Sequence, residues 1–431
     1  MNKILDLAMK SADAAEVFYA EGESRRAEFD NNHLKYITTK SIKGAGLRVI
    51  KNGRIGFSST TDLQQPEKLV AHALESAKYG RVAQFTFPSS VTPAAVKVCD
   101  PRVLDFAIEE GAKRTAQAIV KVLAAVPRAQ CGGDVVKHVG RKRIINSAGL
   151  DVAYEFSEFE CELSALLVRD GSLLWTGDHD ASCALLDAWD RHAEKVIADI
   201  RAAEHEVTPE PGVYPVIFTP NAIDPLLATF EQGVNGKLVQ KQISPLIGKL
   251  GEQIVDTRIT ITDDGTIDYA AGSSPVDCEG LAVRRNVLFE NGVLKQYLFD
   301  LQTAGMMKAQ ATGSGMRGFN RQPSPDITNL VIAAGDTPYE KMLAGMKRGL
   351  LVDDLLGAGQ SNTLAGEFSV NIELGYLVEN GEIVGRVKDC MVAGNVFDAF
   401  KNIVALGDKS VLKGDLMAPH FLFAGLNVAS G

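Results

Sequence analysis

Gly313-Ser314-Gly315-Met316-Arg317-Gly318 satisfies the pattern G-x-G-x-x-G. In a dinucleotide site those glycines let the backbone approach a pyrophosphate that is held by free amides at a helix N-terminus. The chemistry requires a strand feeding the loop and a helix leaving it. Upstream, Leu298, Leu301, Met306 and Met307 lie among small residues and suit a helix. Downstream, Phe319 to Pro325 carries Pro323 and Pro325, which cannot continue a helix. The unit reads as helix, glycine loop and extended proline segment, so no dinucleotide is expected there.

The densest set of metal-ligand types is Asp178-His179-Asp180, with Cys183 and His192 nearby. Neighbouring side chains on a strand point to opposite faces, so three in a row do not converge on one ion, and a polar turn is the expectation. Glu204-His205-Glu206 falls in a linker and reads as solvated, and Asp263-Asp264-Gly265-Thr266 reads as a turn. The six cysteines, Cys99, Cys131, Cys161, Cys183, Cys278 and Cys390, are scattered without a C-x-x-C. That spacing fits reduced, buried thiols and excludes a cysteine-built zinc site of the usual kind. The chain has no G-x-S-x-G elbow, no G-x-x-x-x-G-K-[ST] loop and no H-E-x-x-H. Residue chemistry alone assembles no catalytic centre.

The elements that position these residues are mainly strands. After a short helix with Ile4, Leu5, Ala8 and Ala12 on one face, residues 14–61 alternate as strands, with Asn52-Gly53 as a two-residue hairpin turn. Pro66 opens a helix that Gly80 closes, a proline-punctuated link follows, and residues 101–126 read as one long amphipathic helix. More strands come next, with turns at Ser147-Ala148-Gly149 and Asp170-Gly171, then a helix over 184–205. "EVTPEPGVYP" is the linker between two parts, 1–205 and 212–431. In the second part "YPVIFTP" reads as a buried strand, and Asp224-Pro225 as an N-cap with proline at the first helical position. Asp264-Gly265, Asn291-Gly292 and Asn380-Gly381 each divide apolar segments. The fold class is α+β, with mainly antiparallel sheets flanked by helices.

With 431 residues, 45% of them hydrophobic and 23% charged, the chain is an ordinary globular protein of more than one domain. Its formal charge of −9 speaks against a nucleic-acid surface, and the one dense basic run, "GRKR" at 140–143, reads as a solvated strand end. No apolar run is long enough for a signal peptide or a membrane span, so a cytosolic location is expected.

Several stretches in succession, "NNHLKYITTKSIKGAGLRVIKNGRIGFSSTTDL", "NSAGLDVAYE", "KLGEQIVDTRITITDDGTID", "GLAVRRNVLFENGVLKQYLFDLQTAG", "TGSGMRG" and "VKDCMVAGNVFDAFKNIVALGD", resemble the TldD/PmbA family over nearly the whole chain. That family also carries the label "modulator of DNA gyrase". The resemblance implies a cytosolic peptidase system in which two related chains form a dimer enclosing a cleft for unfolded peptides. One branch holds zinc through H-E-x-x-x-H on a helix of its C-terminal domain, plus a cysteine near the C-terminus. There the metal would activate water, with the glutamate as general base. The positions matching His, Glu and His here are Leu227, Ala228 and Gln232, and the C-terminal stretch offers His420 but no cysteine. The resemblance is therefore to the PmbA/TldE branch. It implies no catalytic residue and no metal in this chain, and zinc in a TldD-like partner. Leu227, Gln232, Gly313, Gly315, Arg317 and Gly318 are the residues expected at the peptide cleft or the partner contact. The alternative is a stand-alone homodimer that binds peptides or a small ligand and cleaves nothing.

Overall fold

Long alternating segments dominate the first part of the chain, and each finds its neighbour through a tight turn. The computed structural model describes residues 1–169, 171–357 and 361–430. After α1 (Asn2–Met9), strands β1 (Ala14–Asp30), β2 (His33–Lys51) and β3 (Arg54–Thr60) form a meander. Asn52 and Gly53 both take positive φ, as a type I′ hairpin turn requires. Helices α2 (Pro66–Ala77), α3 (Pro101–Asp105) and α4 (Ile108–Ala125) then lead to β4 (Gln130–Asn146), β5 (Asp151–Arg169) and β6 (Ser172–Ser182). The six strands form one antiparallel sheet in the order β3-β2-β1-β4-β5-β6. Asp170 of the expected Asp170-Gly171 turn lies outside the described residues. Helix α5 (Trp189–Ala202) closes this half.

The single helix expected over 101–126 is two. Phe106 and Ala107 are extended, and Lys137 on β4 explains where the freed carbonyls go. Its ammonium donates to the carbonyls of Val103, Leu104 and Phe106 at 3.4, 3.0 and 2.7 Å. The Phe106 ring meets Phe159 edge-on at 5.1 Å, so the break also buries an aromatic side chain.

From residue 206 on, the strands form an eight-stranded sheet, a six-stranded sheet and a two-stranded pair, with parallel and antiparallel neighbours. The hairpins at Asn291-Gly292 and Asn380-Gly381 both have the positive φ pair, whereas Asp264 ends a strand, Ile261–Asp264, that pairs on both sides. In the eight-stranded sheet, period-2 alternation sorts the side chains. Val216, Phe218, Leu350 and Val352 join the core of the second half. Ile217 and Leu351, one residue out of phase, join a core shared with α4, α5 and the first sheet. A sheet buried on both faces is why "YPVIF" is continuously apolar. Helices α4 and α5 thus lie between two sheets, and Trp189 of α5 donates to Thr115 of α4 at 3.0 Å inside that layer.

A second junction lies at β2. Phe319, just past the glycine loop, seats over Gly44 and Gly46, and a Cβ at Gly46 would overlap the Phe319 carbonyl oxygen. Glycine is demanded there by close approach of another segment. Gly46→Ala is therefore expected to lower stability by about 1–3 kcal/mol in urea denaturation. Gly212→Ala, where the nearest atom is 3.5 Å away, is expected to stay within about 0.5 kcal/mol.

Candidate functional site

The helix Asp224–Val234 starts after Ile223 rather than after an aspartate cap: Asp224 is itself helical, with Pro225 in the first turn. Its buried stripe, Leu226, Leu227, Phe230 and Val234, faces the core of the second half. Leu227 is fully enclosed and offers no donor atom, and Ala228 offers none either. Gln232 is half-buried, and its side-chain oxygen accepts from the Thr363 hydroxyl at 2.9 Å. Cys390 is buried with its thiol donating to the Lys388 carbonyl at 3.2 Å, and burial pushes that thiol up to about 11, far from a thiolate. His420 packs on the Tyr339 ring at 4.6 Å, and burial lowers its pKa. These residues do not fit a zinc ion held at this helix.

What the helix does carry is Glu231, half-buried and one residue before Gln232. Burial pushes its carboxyl up to about 7, and the solvent-facing carboxylates of Asp224, Asp415 and Asp326 add to the effect. Sequence reading passed over this residue, although it is the one ionisable side chain inside "PLLATFEQ". A carboxyl that is partly protonated near neutrality can accept from a cationic group or exchange a proton with one.

Asp178, His179 and Asp180 lie on strand β6, not in a turn. Residues two apart share a face, so Asp178 and Asp180 converge with His192 of α5, their ligand-type atoms all within 4.8 Å of one another. The exposed His179 and Cys183 are not part of this group; the Cys183 thiol donates to the Ala270 carbonyl. Two cations already answer the carboxylates. Lys413 from the second half lies 2.6 Å from Asp178, and Arg191 reaches both aspartates. His192 Nε2 lies 2.7 Å from Asp180. The Lys413 ammonium supplies the positive charge a metal would bring, so the cluster ties the halves together.

The glycine loop belongs to a second, fully buried ion network. Arg317 donates to Glu16 of β1 and, through Nε, to the Cys278 carbonyl at 3.1 Å. Arg48 of β2 donates to Glu279 at 2.7 Å and to Glu16 at 3.2 Å. Each half therefore sends an arginine to a glutamate of the other. Phe18 lies 4.8 Å under Arg317, and Phe85 and Phe87 of the proline-punctuated link flank Arg48 at 4.7 and 5.1 Å. Burial raises Asp277 and Glu279, to about 6 and about 7. Gly313 has φ 71°, a turn conformation that favours glycine. The Gly315 amide donates to Asp277 at 3.0 Å. Arg317 and Leu227 were expected at a cleft or partner contact; both are instead consumed inside the chain, Arg317 by charge pairing and Leu227 by core packing. Gly313 and Gly315 are buried too, which leaves Gln232 and Gly318 partly open to solvent.

Residues 211–430 match the family described as the PmbA/TldA metallopeptidase C-terminal domain, and residues 15–77 match PmbA/TldA metallopeptidase domain 1. The chain is 28% identical to an uncharacterized protein of Methanocaldococcus jannaschii, over 99% of each chain. It is 26% identical to the metalloprotease PmbA of Escherichia coli O157:H7, over 98% of this chain and 94% of that one. Among solved structures, TldE from Thermococcus kodakarensis superposes with a TM-score of 0.91 over the full length of both chains at 23% identity. That likeness establishes the α+β architecture. Among the described residues no helix is long and apolar enough to cross a membrane.

Removing Arg317 leaves the buried Glu16 and Glu279 to share the single cation Arg48, so Arg317→Ala is expected to cost about 3–5 kcal/mol in chemical denaturation. Gly318→Ala should change little. Glu231 gives a pH signature with a definite sign. Its folded value lies above its ordinary 4.5, so the stability linked to it is complete below that value and is lost as pH rises through about 7. Glu231→Gln is thus expected to raise the thermal midpoint at pH 8 by about 1–3 °C and to leave it unchanged at pH 4.

Proposed function

The chain belongs to the PmbA/TldD metallopeptidase family, and from that premise we propose that it is the zinc-free subunit of a two-chain peptidase acting on unfolded peptides. The observation that carries this reading is the helix Asp224–Val234. Its positions 227, 228 and 232 hold a core leucine, an alanine and a glutamine engaged with Thr363, a set that cannot bind zinc or act as general base.

In this reading the partner is a TldD-like relative with H-E-x-x-x-H, which brings the zinc. This chain contributes one wall of the peptide cleft. Gln232 and Gly318, partly accessible on the second half, are its candidate cleft residues, and the Glu231 carboxyl beside Gln232 favours basic or N-terminal groups of a peptide. The cytosol is the compartment that suits such a system and such free cysteines. The partner supplies the water-activating chemistry; this chain's own residues bind and orient.

The test is cleavage of an unstructured peptide by the purified chain, alone and mixed with its H-E-x-x-x-H relative, with and without a chelator. The expected result is chelator-sensitive cleavage in the mixture alone, and no stoichiometric zinc in the isolated chain by elemental analysis. Zinc at one ion per chain, or cleavage by the chain alone, would overturn the reading. A stable homodimer that binds peptide and ignores the relative would replace it with the stand-alone binding protein.

A further inference from the structure

We propose that the crevice beside the buried ion network is a binding site for a small carboxylate, the free C-terminus of a short peptide. It has a volume of about 350 Å³, at the lower end of the range of small-ligand sites. Both halves of the chain line it. Arg48 and Arg81 come from the first half, and Lys237, Asp300, Gln302 and Gln322 from the second.

The charges there are unevenly matched. Arg48 is 2% exposed, and its guanidinium is spent on Glu16 and Glu279, while its Nε has no hydrogen-bond partner among the described residues. Asp300 is the one acidic lining residue, and its carboxylate accepts from the Thr303 amide and hydroxyl at 2.6 and 2.8 Å. Lys237 is half-buried with only the Ser324 hydroxyl at 3.4 Å, and among the described residues neither it nor Arg81 pairs with a carboxylate. Arg81 and Lys237 against Asp300 leave one net positive charge in a chain whose overall charge is −9. A monoanion balances that, and a guanidinium and an ammonium lining one crevice suit a carboxylate.

The backbone that carries the cations is held at both places: the Ile55 amide donates to the Arg81 carbonyl at 2.9 Å. The Gln302 amide donates to the Val82 carbonyl at 3.0 Å and its oxygen accepts from the Gln84 amide at 2.9 Å, so the segment after Arg81 is tied to the second half. Lys237 follows Asn235, whose side chain caps the short helix Gly236–Gln240. Met306 adds an apolar wall for a side chain next to the carboxylate. The choice of a peptide as ligand rests on the proposed function, whereas the demand for a monoanion does not.

Isothermal titration of the full chain decides the matter, with N-acetyl-alanyl-alanine as free acid, its C-terminal amide and inorganic phosphate as probes. The expected result is one site for the acid, with the amide at least about tenfold weaker. The double variant Arg81→Gln, Lys237→Gln should lose the acid by a similar factor while keeping its unfolding midpoint. Equal affinity for acid and amide, no binding, or tighter binding of phosphate would overturn the proposal. If the double variant unfolds, the acid and amide comparison on the unaltered chain still decides. Acid-selective binding with no partner-dependent cleavage would sink the peptidase-subunit reading and keep this site; cleavage with acid-indifferent binding would do the reverse.

Discussion

Two arginines and two glutamates, exchanged across the junction of the halves, set the geometry on which the rest depends. A buried charge is tolerable only when a partner of opposite sign is held against it. Arg48 leaves the first sheet to meet Glu279, and Arg317 leaves the glycine loop to meet Glu16. Arg48 and Glu16 also pair within the first half, but Glu279 and Arg317 of the second half find their partners only across the junction. The exchange therefore fixes where the loop lies on β2, and with it Phe319 over the glycines of that strand and the crevice next to Arg48.

The shared core does the same work without charge. Ile217 and Leu351 face α4 and α5, so the eight-stranded sheet has no solvent face along this stretch. Apolar packing of this kind supplies most of the favourable free energy of folding, while the ion network mainly selects one arrangement of the halves. The Asp178, Asp180, His192 and Lys413 cluster is a third fastening between them, far along the same sheet from the first.

The helix Asp224–Val234 is held by its apolar stripe rather than by any ligand chemistry. Leu227 is fully enclosed in the core of the second half. Glu231 is the half-buried carboxyl of that helix, raised by burial, while Asp224 in its first turn faces solvent.

The sequence by itself determined the α+β class, the Asn-Gly hairpins at 52, 291 and 380, the buried strand at 214–218 and the side chains, leucine, alanine and glutamine, at 227, 228 and 232. Each of these depends on local backbone preference, on period-2 patterning, or on which donor atoms a side chain owns. Only the tertiary structure decided the rest. The break at Phe106 needs Lys137 to take the freed carbonyls, and the convergence of Asp178 with Asp180 and His192 needs β6 and α5 side by side. The fate of Arg317 could not be read from its neighbours, because the carboxylate that claims it, Glu16, lies 301 residues away. Charge pairing and close packing act through space, and sequence distance carries no record of them.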